Sequence, residues 1–125
     1  MPRFAVFLLV TLMILVGPAG SAGYEVDADN MRAIEDTMKS LDSHVALKEA
    51  KLAAQEAKEL VGAFEQVQAY YVGKGDAADG IEMARKTHAL ARQILQSVEA
   101  GDFEAASGSV TQLVRSCKAC HDVYK

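Results

Sequence analysis

The chain has 125 residues, two prolines, no tryptophan and two cysteines, and half of it is hydrophobic. That length holds one compact core and excludes a second of useful size. The formal charge of −4, with acidic and basic residues interspersed, excludes the basic stripe of a nucleic-acid binder.

Residues 1–22 have the layout of a cleaved export signal. Arg3 supplies the positive charge, Phe4 to Val16 is apolar apart from Thr11, and Gly17-Pro18 ends the run before the small residues Ala19 to Gly23. About 13 apolar residues are too few for a membrane span of about 20, so cleavage after Ala22 or Gly23 is expected and no permanent membrane anchor. Loss of Arg3 takes the formal charge from −4 to −5. Residues 23–125 then form a single domain in a periplasmic setting.

Four amphipathic segments follow, with apolar residues at helical spacing and no strand alternation. The first is predicted from about Val26 to Val45, with the stripe Met31, Ile34, Met38, Leu41 and Val45 and with Asp27 or Asp29 as cap. Its C-terminal boundary carries no strong stop signal. The second covers about Leu47 to Val72 along Ala50, Ala53, Ala57, Leu60, Phe64, Val67 and Tyr71, and Gly73 and Gly75 end it. The third is capped by Asp76, carries Ile81, Ala84, His88, Ala91, Leu95 and Val98, and stops at Gly101. Asp102 opens the fourth, whose stripe is Phe103, Ala106, Val110, Leu113, Cys117, Cys120 or His121, and Tyr124, with Gly108 a weak point. The expected fold is all-α, an up-down-up-down antiparallel four-helix bundle, because connections this short join antiparallel neighbours.

Chemistry is concentrated at Cys117-Lys118-Ala119-Cys120-His121. Two cysteines separated by two residues and followed by histidine have the spacing through which haem c is attached by two thioethers and ligated by the histidine. On a helix Cys117 and His121 are one turn apart on one face, with Cys120 close to it, so one short segment meets both vinyl-derived carbons and the iron. A redox dithiol or a structural disulfide also suits an exported chain. A reactive thiolate, however, is favoured at the positive end of a helix, and this pair lies near the negative end. Zinc needs further ligands, and there is no second Cys/His cluster.

With Arg115-Ser116-Cys117-Lys118-Ala119-Cys120-His121-Asp122-Val123-Tyr124-Lys125 at its C-terminus, the chain resembles the class II c-type cytochromes. These include cytochrome c-prime and its low-spin, methionine-ligated relatives. Most other c-type cytochromes carry the motif near the N-terminus. Lys125 matches the basic residue that often follows the final aromatic in this family, whereas Asp27 stands where an arginine often precedes the distal residue. The resemblance implies the four-helix bundle, one covalent haem c and possible homodimers.

The second axial position is sought by depth along the bundle. Met31 lies roughly 8 Å into the first helix and His121 about 6 Å from the end of the fourth, so the two are expected at similar levels. Met38 lies about 10 Å further in than Met31, and His44 about 20 Å beyond Met31, near the opposite end. Met83 and His88 on the third helix are weaker candidates, the first off the main stripe and the second deeper. The methionine-ligated relatives imply ligation at Met31, while in cytochrome c-prime an apolar residue there leaves the iron five-coordinate. Met31 can otherwise be a flexible core methionine. Tyr70, Tyr71 and Tyr124 are expected to pack or hydrogen-bond. The expected function is single-electron transfer with redox partner proteins, a basic one being compatible with the chain's charge, and no enzymatic activity. The alternative is a five-coordinate binder of small gases such as nitric oxide or carbon monoxide.

Overall fold

The computed structural model describes residues 25–75 and 78–123. The export signal, the Asp76 cap and Tyr124 lie outside them. Four helices follow one another: α1 (Ala28–Ala46), α2 (Ala50–Lys74), α3 (Ala78–Glu99) and α4 (Phe103–Val123). Each packs on its neighbours in the chain, and α1 also touches α4, closing an up-down-up-down four-helix bundle. The α1–α4 seam is the thinnest of the four.

Local chemistry sets the helix ends. The Asp27 carboxylate accepts a hydrogen bond from the Asn30 amide at 2.8 Å and caps α1. Asp102 does the same for α4, accepting from the Ala105 amide at 3.0 Å. After α3 the Asp102 amide bonds back to the Ser97 carbonyl and the Gly101 amide to the Val98 carbonyl, with Gly101 left-handed at φ 74°. α1 ends in the same double closure, Glu49 to His44 and Lys48 to Val45, although its left-handed residue is Lys48 at φ 56°. A lysine gives no sequence warning of that conformation. α2 starts at Ala50 instead of Leu47 and runs through Gly73 to Lys74, with left-handed Gly75 as its cap.

The centre is built from all four helices, with Leu41, Leu60, Ile94 and Leu113 contributing one fully buried branched side chain each. On α1 the expected stripe faces inward. On α3 the buried line is Gly80, Ala84, Thr87, Ala91, Ile94 and Val98, with Leu90 beside it, while Ile81, His88 and Leu95 are half-buried at the edge. The expected α3 stripe is thus rotated by about one residue. Thr87 tolerates burial because its hydroxyl donates to the Ala84 carbonyl at 2.8 Å within the same helix. Gly80 is small where the Tyr71 ring of α2 leaves no room, since a β-carbon there would lie 2.6 Å from Cδ1 of Tyr71. No described helix is long and apolar enough to cross a membrane.

Candidate functional site

The bundle is solid at its centre and open at the end formed by the first turns of α1 and α3 and the last turns of α2 and α4. A cleft of about 880 Å³ lies there, lined by all four helices. α4 contributes Val114, Cys117, Lys118, Cys120, His121 and Val123; α1 contributes Met31, Ile34, Glu35 and Met38; α2 contributes Phe64, Val67, Tyr70, Tyr71 and Lys74. From α3 come the small residues Ala84 and Thr87, which leave room where larger side chains would close the interior.

Met31, far away in the chain, lines the same cleft as Cys117, Cys120 and His121. Cys117 and Cys120 are half-buried free thiols on the continuous α4 helix. Burial pushes the Cys117 thiol up to about 11, and the negative charge that Cys120 and Glu35 can bring near adds to the effect. Burial also raises the Cys120 thiol. Both side chains are therefore protonated at neutral pH, the opposite of an activated redox dithiol. His121 is exposed in the last turn of α4 on the cleft rim, and Met31 is half-buried in the first turn of α1.

Met38 corrects the depth argument. It shares the cleft, is buried, and its sulfur accepts from the Cys117 thiol at 3.7 Å. The reason is side-chain direction: helical side chains lean toward their own N-terminus. Met38 on α1 therefore leans toward the open end, while Cys117 on antiparallel α4 leans away from it, and the two meet. Rise along the helix axis alone does not capture this. Met83 and His88 do not line the cleft, and α3 turns Ala84 and Thr87 to it instead. His44 is in the last turn of α1, its ring between Glu56 at Nδ1 and Glu49, 3.4 Å from Nε2. Tyr70 and Tyr71 form an edge-to-face pair with centroids 5.3 Å apart, and the Lys74 ammonium lies 5.1 Å from the Tyr70 ring centroid. Glu35, Lys74 and Thr87 escaped the sequence reading, and Phe64 entered it only as part of the inward stripe of α2. Glu35 could have been found one turn after Met31, and Lys74 at the end of the helix that carries the two tyrosines.

The donor set and the shape of the cleft fit a haem. Its volume is that of a cofactor site, and its walls are mostly apolar. Val114 and Val123 are exposed at its mouth. No buried side-chain nitrogen or oxygen among the described residues lacks a partner, so the interior makes no polar demand that an apolar ring would leave unmet. Among the described residues no group of three or more His, Cys, Asp or Glu is placed to hold a bare metal ion. Cys117 and Cys120 are the groups that could bind the macrocycle covalently, His121 could ligate its iron, and Met31 could face it from α1. No protein-family model, no curated protein and no solved structure matches the chain.

Proposed function

We propose that the protein is an exported c-type cytochrome, similar to the methionine-ligated class II cytochromes, that transfers single electrons. One observation carries this reading: the Cys117-Lys118-Ala119-Cys120-His121 helix end and Met31 line the same apolar cleft. In this reading Cys117 and Cys120 would hold the haem through thioethers, and His121 and Met31 would ligate its iron. When bound, the haem would supply a one-electron couple.

The chain's own residues do the rest. Ile34, Met38, Phe64 and Val67, all buried, exclude water from the inner end of the cleft. The four-helix frame holds His121 and Met31 on antiparallel elements, which limits rearrangement between oxidation states. Exposed Val114, Lys118 and Val123 at the mouth leave the cofactor edge within reach of a redox partner. The absorption spectrum of the purified protein in both oxidation states, with and without carbon monoxide, tests the reading. A six-coordinate spectrum insensitive to carbon monoxide is expected. A high-spin iron that binds the gas at once transfers the proposal to the five-coordinate, gas-binding alternative.

A further inference from the structure

The cleft crosses the bundle on its diagonal. Its α4 wall carries Cys117 and Cys120, and its far wall is the C-terminal part of α2, from Phe64 to Lys74. α2 packs against α1 and α3, and α4 packs against the same two helices, so these walls face each other across the bundle.

Charge is unevenly distributed around this space. Asp27, the cap of α1, and Glu35 within it line it with two carboxylates; α4 lines it with one cation, Lys118, and α2 with one, Lys74. A haem has vinyl groups toward one edge and two propionate carboxylates toward another. Attachment through Cys117 and Cys120 commits the vinyl edge to α4, which turns the propionates away from Lys118, the residue directly after Cys117. Asp27 and Glu35 repel carboxylates from the α1 side. Among the described lining residues Lys74 remains, on the wall opposite the attachment point, with its ammonium 5.1 Å from the centroid of the Tyr70 ring. That cation–π contact orients a flexible side chain at the cleft edge.

We propose that Lys74, oriented by Tyr70, pairs with a haem propionate and thereby sets the seating and the reduction potential of the cofactor. The inference rests on the haem reading above. Lys74 is a positioning residue: it acts through the propionate on an iron it does not touch. A cation at this place disfavours the additional positive charge of the ferric state, so its removal lowers the potential.

The experiment compares the full-length protein, matured in cells that attach haem, with Lys74→Gln, Lys74→Arg and Lys118→Gln. Denaturing mass spectrometry first reports whether haem is attached; spectroelectrochemistry and the propionate-bending bands in the resonance Raman spectrum are then recorded. Lys74→Gln should displace the propionate bands and lower the potential, up to a tenfold change in the one-electron equilibrium, about 59 mV. Lys74→Arg should restore both, the potential shift should shrink in high salt, and Lys118→Gln should leave the propionate bands in place. If haem is attached and Lys74→Gln moves neither readout, or Lys118→Gln moves the propionate bands instead, the inference is overturned while the haem reading stands. A bare polypeptide mass for the unmutated protein overturns both.

Discussion

Replacing Gly80 with alanine should destabilise the bundle, although the same replacement at most exposed helical glycines stabilises. A β-carbon at position 80 would lie 2.6 Å from Cδ1 of Tyr71 and 3.0 Å from both Cγ and Cε1. Tyr71 is 4 % exposed, so its ring has one direction of retreat, into the cleft that it lines. Overpacking of this kind costs about 1–3 kcal/mol, and the helix propensity gained over glycine returns up to about 1 kcal/mol. With the full return of about 1 kcal/mol, the net loss is up to about 2 kcal/mol. Gly62 and Gly108 provide the contrast, because a β-carbon at either meets nothing within 4 Å. Gly62→Ala and Gly108→Ala should each gain about 0.5–1 kcal/mol. Urea midpoints of the three variants decide the matter, and thermal midpoints should separate in the same order by about 4–8 °C per kcal/mol. If Gly80→Ala stabilises as much as Gly62→Ala, α2 and α3 do not approach here as described, and the wall of the cleft is misplaced.

Four further outcomes are expected. Lys48→Gly should raise stability by about 0.5–1 kcal/mol in urea unfolding, since a left-handed lysine costs about 1–2 kcal/mol and glycine's greater freedom in the unfolded chain gives part of it back. Met31→Ala should convert a six-coordinate iron into one that binds carbon monoxide, read by absorption. Met38→Ala should cost about 2–3 kcal/mol, the low end for a buried methionine because one side already faces the cleft; its contact with Cys117 means that it also perturbs the haem spectrum, though without opening the iron to gas. In the haem-free chain, burial favours the protonated Cys117 thiol in the fold. Its contribution to stability is full below about 9 and is lost as pH rises toward about 11, so alkylation of Cys117 should accelerate and the urea midpoint should fall across that window, the latter less in Cys117→Ala.

The fold was legible because most inward positions are apolar at helical spacing, as along Ile34, Met38, Leu41 and Val45. It became illegible where a buried residue is small or polar: Gly80 and Thr87 belong to the interior line of α3, and hydropathy alone selects Ile81 and His88 one step away. The end of α1 was hidden for a related reason, since Lys48 adopts a conformation that sequence signals reserve for glycine. At the site, the attachment spacing pointed to Cys117, Cys120 and His121 and axial rise to Met31, and the four line one cleft. The contact of Met38 with Cys117 depends on the opposed lean of side chains on antiparallel helices. The cleft itself depends on small residues of α3 facing a thin α1–α4 seam, a property of four helices together that no single periodicity contains.

The central claim is a covalent haem on Cys117 and Cys120, and intact mass spectrometry under denaturing conditions tests it most directly. Protein exported from cells able to mature c-type cytochromes should have the mass of its polypeptide plus one haem, reduced to a single-thioether adduct at best in Cys117→Ala. A mass equal to the bare polypeptide from such cells would contradict the account.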